Sequence, residues 1–103
     1  MPKLIYCTTS DITEAHQISH RLLEEKLVVC VNIFPSIESL YRWNGTIETK
    51  KETALFIKTV DENVTNTIQR IKDLHSYDVP EIIVLDLIDG LPEYFEYLRR
   101  ETL

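Results

Sequence analysis

The chain has 103 residues, of which 44% are hydrophobic and 27% are charged, so we expect one ordinary globular domain over residues 1–103. Its net charge is −6 and its longest basic runs are the pairs Lys50-Lys51 and Arg99-Arg100, a balance that argues against nucleic acid as a partner. No apolar run approaches the roughly 20 residues that a membrane helix needs, so we expect no membrane association.

The first part of the chain alternates between strand and helix patterns. Residues 3–9 are predicted to form a strand, and Asp11 with Glu14 resembles a capping box that begins a helix. The positions spaced for one apolar helical face are Ile12, Ala15, Ile18, Leu22 and Leu23. A second strand begins at Val28, and Pro35 is expected to bend or bulge it.

The second part begins at Asn44-Gly45, a candidate type I′ hairpin turn that leads into a third strand over 46–60. A second helix carries Val64, Ile68, Ile71 and Leu74 on one face, and a fourth strand is predicted over 81–87. Pro92 suits the first position of a short terminal helix whose apolar side is Tyr94, Phe95 and Leu98. The order βαββαβ predicts an α+β, ferredoxin-like fold with a long hairpin between its second and third strands.

The length of that hairpin predicts an oligomer. As a strand, 28–43 would span on the order of 50 Å, whereas a compact chain of this size has a radius of gyration of only ~13 Å. The tip should therefore project past its own core while carrying Tyr41 and Trp43, which are costly to leave in water. We expect these two residues to lie at an oligomer interface; the alternative is a hairpin that curls back over its own sheet.

The segment 75–81 concentrates polar chemistry between a helix and a buried strand. It places His75, Tyr77 and Glu81 on a connection that Pro80 stiffens, and loops of this kind often carry function. The plain alternative is that Glu81 opens a strand and Tyr77 plugs the end of a helix. An enzyme would use His75 or Glu81 as general base with Tyr77 or Lys58 nearby, but no nucleophile or phosphate-loop motif is present.

The two cysteines, Cys7 and Cys30, are too few for a disulfide framework and lack zinc-ligand spacing. Both have the surroundings of small core residues. Because the N-terminus runs directly into strand-like sequence without a signal-peptide pattern, we expect a cytoplasmic protein.

Several segments together resemble the divalent-cation tolerance (CutA) family. They are 25–27, 30–33, 39–45, 58–59 and 75–82, in the same order and spacing from Ile5 to Leu98. The resemblance implies a ferredoxin-like subunit in a homotrimer similar to the PII signalling proteins, and a link to tolerance of copper and other divalent cations. It implies no settled reaction, so we expect no enzyme activity.

The resemblance also implies a copper site. Its residues here would be Cys7, at the end of the first strand, and His75, on the loop after the second helix; Leu74 breaks any pattern of two adjacent histidines. Thiolate and imidazole suit copper, but two ligands need completion by Asp78, Glu81, water or a neighbouring subunit. The alternative for Cys7 is a packed, inert core thiol.

Two functions remain open at this point. One is a trimeric copper-binding or metal-homeostasis protein with Cys7 and His75 as ligands. The other is a PII-like trimeric sensor or scaffold that binds a small ligand or a protein in the inter-subunit cleft, with Tyr77, Glu81 and Lys58 as cleft residues. His16 and His20, four apart on the first helix, could form a surface metal clip, although solvated side chains are the plainer explanation.

Overall fold

A computed structural model describes residues 1–102. Its elements are β1 (Pro2–Thr9), α1 (Ile12–Glu24), β2 (Cys30–Trp43), β3 (Thr46–Val60), a 3₁₀ turn (Asp61–Asn63), α2 (Val64–Leu74), β4 (Ile82–Asp86) and α3 (Pro92–Arg100). The strands form one antiparallel sheet in the order β2-β3-β1-β4. This is the predicted ferredoxin-like βαββαβ arrangement with a short C-terminal helix.

Local sequence features explain where several elements begin and turn. Asp11 caps α1 by accepting a hydrogen bond from the Glu14 backbone N–H at 2.8 Å. Asn44 and Gly45 both have positive φ, 48° and 81°, as a type I′ turn between β2 and β3 requires. The predicted irregularity at Pro35 is present, since the register between β2 and β3 shifts between Phe34 and Ile37.

The core lies between α1, α2 and one face of the sheet. Its buried apolar residues include Ile5, Ala15, Ile18, Leu22, Leu55, Ile57 and Ile71. The prediction of the apolar face of α1 is wrong at two positions, because Ile12 is 40% exposed and Leu23 is 38% exposed. Ile12 is the first residue of α1 and Leu23 the last but one, and by helical spacing both lie to one side of the buried Ala15, Ile18 and Leu22.

The hairpin of β2 and β3 projects beyond this core. The chain measures 45 × 26 × 22 Å, and the apolar tip residues Leu40, Trp43 and Ile47 are 65%, 61% and 70% exposed. The tip therefore does not fold back over its own sheet, as the alternative required. Strand β4 forms the opposite edge and also exposes apolar side chains, with Ile83 at 47% and Leu85 at 49%.

Within residues 1–102, no helix combines the length and the apolar character needed to cross a membrane.

Candidate functional site

The loop after α2 is drawn back onto the end of β1 by His75. This residue ends α2 by adopting extended backbone angles, and its side chain is fully enclosed. Its Nδ1 accepts a hydrogen bond from the Tyr77 backbone N–H at 3.0 Å, so the proton of the neutral ring lies on Nε2. Nε2 then donates to the carbonyl oxygen of Thr8 at 2.8 Å. Both ring nitrogens thus have partners within the chain.

Cys7 approaches the same carbonyl oxygen from the strand. Its Sγ lies 3.5 Å from the Thr8 oxygen, and the residue is fully buried in the core, paired with Leu55 of β3 and Ile82 of β4. Burial raises the pKa of the Cys7 thiol to about 12, and nearby carboxylates add to the increase. Cys7 is therefore a protonated thiol at neutral pH, and it lies beside His75 across one oxygen atom.

Glu14 connects the first turn of α1 to this loop. Its Oε1 accepts hydrogen bonds from the Ser10 backbone N–H at 2.9 Å and hydroxyl at 3.0 Å, while its Oε2 accepts from the Ser76 backbone N–H at 2.7 Å. Burial by itself raises the pKa of Glu14, but these hydrogen bonds outweigh it and hold the pKa at about 2. Glu14 is therefore a charged, partly buried anchor for the loop.

Tyr77 fixes the other end of the loop to β3. Its hydroxyl donates to Oε2 of Glu52 at 2.8 Å, and the Nζ of Lys50 lies 4.1 Å from the centre of its ring. The pKa of Tyr77 is raised by burial and by the hydrogen bond to Glu52. Tyr77 therefore anchors the loop as a neutral phenol, and does more than plug the end of a helix.

Two other predicted cleft residues make no hydrogen bond to this network. Glu81 is exposed immediately before β4, and its carboxylate is one of those that raise the pKa of the Cys7 thiol. Lys58 hydrogen-bonds Asn32 at 2.5 Å and lies 3.8 Å from Cys30 Sγ, with its Nζ 6.0 Å from the Tyr94 ring centre. Lys58 is six positions farther along the extended strand β3 than Glu52, the partner of Tyr77, so one chain does not bring Lys58 to this loop.

Sequence reasoning missed the partners of the loop. Glu14 was identified only as part of a helix cap, and Glu52 and Thr8 were not identified at all. The spacing from Asp11 to Glu14 signals a capping box. The carboxylate of Glu14 also accepts a hydrogen bond from Ser76, which is 62 positions away in sequence. Glu52 stands between Lys51 and Thr53, before the apolar run of β3, so no local signal in the sequence indicated that it would be buried.

Few side chains that can ligate a metal ion lie near the carbonyl oxygen of Thr8. Cys7 and His75 supply one sulfur and one nitrogen, which suit copper. Over residues 1–102, no group of three or more histidine, cysteine, aspartate or glutamate side chains is arranged to hold a metal ion. A cation bound by this pair would need further ligands from water or from another chain.

Comparison with known proteins identifies the family. The profile described as CutA1 divalent ion tolerance protein matches residues 3–101. The chain belongs to the CutA1 family. Among CutA relatives, the divalent-cation tolerance protein of Thermus thermophilus is 37% identical over 102 residues, with 99% of each chain covered. That of Archaeoglobus fulgidus is 40% identical over 98 residues, with 95% of each covered.

Solved CutA structures share the whole fold. The structure of the Thermus thermophilus protein has a TM-score of 0.96 at 37% identity, and covers 99% of both chains. The Archaeoglobus fulgidus structure, described as a periplasmic divalent cation tolerance protein, has a TM-score of 0.95 at 38% identity and covers 98% of both. The chain covers 54% of the longer chloroplastic CutA protein of Arabidopsis thaliana. The family description names tolerance of divalent ions and no reaction.

Proposed function

We propose that this protein is a homotrimer that binds divalent cations, copper foremost, and acts in divalent-cation tolerance. The observation that carries the proposal is the shared contact at Thr8, whose carbonyl oxygen lies 3.5 Å from Cys7 Sγ and 2.8 Å from His75 Nε2. Two residues far apart in sequence, one with a soft sulfur and one with an imidazole nitrogen, are thereby neighbours. The names of the relatives support the biological role.

Cation binding at this pair requires a small rearrangement. The His75 ring must leave one of its two hydrogen bonds, and the Cys7 thiol must lose its proton to become a thiolate ligand. Water or a neighbouring subunit would supply the remaining ligands. Because the cation displaces protons, binding should weaken as the pH falls. Copper should bind far better than magnesium or calcium, because these two ions need several oxygen ligands whereas Cys7 and His75 supply sulfur and nitrogen.

Copper titration of the wild type, Cys7→Ser and His75→Ala tests the site. We expect both variants to bind copper more weakly than the wild type, while Cys30→Ser, which alters the other free cysteine, serves as the matched control and binds normally. Identical isotherms for all four proteins would remove Cys7 and His75 as ligands and leave the trimer proposal standing.

The trimer proposal is supported by apolar surface at both edges of the sheet. The hairpin tip exposes Trp43 and Ile47, and β4 exposes Ile83 and Leu85. Exposed strand edges with apolar side chains are normally covered by another chain. Sedimentation equilibrium at micromolar concentration should give three times the chain mass, and a single monomeric species would contradict the proposal.

A second function is favoured by the hydrogen bonds that the side chains of the loop already make. Both nitrogens of His75 have partners, and Tyr77 is held by Glu52 and Lys50, so the loop is better suited to lining a cleft than to binding a metal ion. In this case the protein is a PII-like trimeric sensor or scaffold that binds a small ligand or a protein in the inter-subunit cleft. Thermal-shift measurements with copper and with a panel of small anionic metabolites separate the two functions, since only the matching ligand should raise the melting temperature.

We also propose a cytoplasmic location, which free Cys7 and Cys30 would suit because reducing compartments keep thiols unpaired. The words periplasmic and chloroplastic occur in the names of some relatives, so location differs within the family. Fractionation of cells that express the tagged protein tests it, with recovery outside the cytoplasmic fraction as the contradicting result.

A further inference from the structure

The outer surface of α1 carries a pair of histidines separate from the His75 loop. His16 and His20 are both exposed, and their ring centres are 6.2 Å apart with an angle of 27° between the ring planes. Residues four apart on a helix occupy the same face one turn from each other. The two rings therefore lie near each other on the same exposed face of α1.

The pair borders an open groove of about 690 Å³ beside the end of α2. The groove is lined by Ile12, Thr13, Gln17, Arg21 and Leu74 in addition to the two histidines. The positive charge of Arg21 is offset by Glu25, whose carboxylate lies 3.6 Å from it and also pairs with Arg70. Space is thus available next to the imidazoles for a hydrated ion.

We propose that His16 and His20 form a two-imidazole binding site for a divalent transition-metal cation. Two histidines at i and i+4 on one helix can bind the same metal ion, as in zinc sites built on this spacing. Because no third ligand side chain is in place within residues 1–102, the other coordination positions belong to water. The site is therefore open and exchanges its ion readily. Its affinity should be highest for Cu²⁺ and lower for Ni²⁺ and Zn²⁺, with Mg²⁺ and Ca²⁺ excluded by the nitrogen ligands.

The site at His16 and His20 would bind the same class of cation as the proposed function requires, but through different ligands from Cys7 and His75. The test therefore begins with the double variant Cys7→Ser/His75→Ala, from which the site beside Thr8 has been removed. Cu²⁺ is titrated into the assembled protein in a buffer that does not coordinate metal. One class of sites per chain should remain in this double variant if His16 and His20 bind the ion.

Single substitutions then assign the remaining site. Loss of a residue that merely orients a metal ligand typically weakens metal affinity about 10–100-fold, so His16→Ala or His20→Ala should weaken it at least about tenfold. The matched control is Gln17→His/His20→Gln, which keeps the number of histidines but gives a spacing of one residue, and adjacent helical residues do not face each other. The control should bind as weakly as His20→Ala.

Spectroscopy gives an independent measurement of the same site. The electron paramagnetic resonance spectrum of bound Cu²⁺ should show coupling to two imidazole nitrogens, and one should be lost in His20→Ala. Unchanged Cu²⁺ isotherms in His16→Ala and His20→Ala would overturn the proposal, and so would full binding by the spacing control. Failure of the site beside Thr8 would instead appear as equal binding by the wild type and the Cys7→Ser/His75→Ala variant.

Discussion

The side chain of Glu14 accepts a hydrogen bond from the backbone N–H of Ser76 at 2.7 Å and thereby joins the first turn of α1 to the loop after α2. The same carboxylate also holds Ser10, where β1 leads into α1. Three parts of the chain thus meet at one charged group. The position of His75, which follows α2 and precedes Ser76, depends on this connection.

Replacing Glu14 by glutamine should destabilise the protein. The charged acceptor is lost while the size of the side chain is kept, and hydrogen bonds to charged groups contribute about 1.5–3 kcal/mol each. We expect the free energy of unfolding in urea, at fixed protein concentration, to fall by an amount in this range. The control is Glu24→Gln on the exposed end of the same helix, which should change it by less than about 0.5 kcal/mol. Equal stability of the two variants would contradict the role of Glu14.

Stability should also depend on pH through Glu14. Its pKa is about 2 in the folded protein against an ordinary value of 4.5, so its contribution is complete above pH 4.5 and is lost as the pH falls to 2. By linkage, the difference between these two values corresponds to about 3 kcal/mol. The difference in unfolding free energy between wild type and Glu14→Gln should therefore shrink between pH 5 and pH 2. A constant difference across that range would show that Glu14 does not titrate as the geometry requires.

Tyr77→Phe should loosen the loop from β3. The substitution removes the hydroxyl that donates to Glu52 and leaves that buried carboxylate without this partner, at a cost of about 1.5–3 kcal/mol. Thermal unfolding measures the loss, and amide hydrogen exchange should increase at residues 75–79. Tyr97→Phe on the exposed side of α3 is the matched control and should resemble the wild type. If amide hydrogen exchange of the loop is the same in Tyr77→Phe as in the wild type, the hydroxyl does not anchor the loop.

Cys7 should resist thiol reagents in the native protein. It is fully buried and its pKa is about 12, so both access and thiolate formation are limited. In a Cys30→Ala variant, where Cys7 is the remaining thiol, reaction with a disulfide reagent should proceed at the rate of unfolding and become fast in denaturant. Rapid, complete reaction under native conditions would show that the end of β1 opens readily. Such opening would let a cation reach Cys7 and His75.

Trp43→Ala should weaken assembly while leaving the single chain folded. In one chain Trp43 is 61% exposed and contributes little to its own core. If a neighbouring chain buries it, truncation should cost about 3–5 kcal/mol at the interface. Sedimentation of the variant should then show dissociation at concentrations where the wild type is intact. Arg42→Ala at the adjacent exposed position is the comparison, and equal mass and melting temperature for wild type and Trp43→Ala would show that the tip is not an interface.

Local signals in the sequence determined the order of elements and their turns. Asp11 marks the start of α1, Asn44-Gly45 marks the hairpin, and Pro35 marks the irregularity in β2, because each acts through its own backbone and immediate neighbours. The lengths of β2 and β3 likewise fixed the projection of the hairpin. These features depend on residues close together in the chain, and a single sequence is enough to identify them.

The tertiary structure alone decided which distant groups meet. Ser76 reaches Glu14, Tyr77 reaches Glu52 and His75 reaches Thr8 because α2 and its loop pack against α1 and the sheet, and sequence spacing does not encode those contacts. The same packing left Ile12 and Leu23 exposed although the helical pattern placed them on the buried face. A periodic pattern gives the direction of a side chain from its helix, whereas burial depends on whether another element covers that direction.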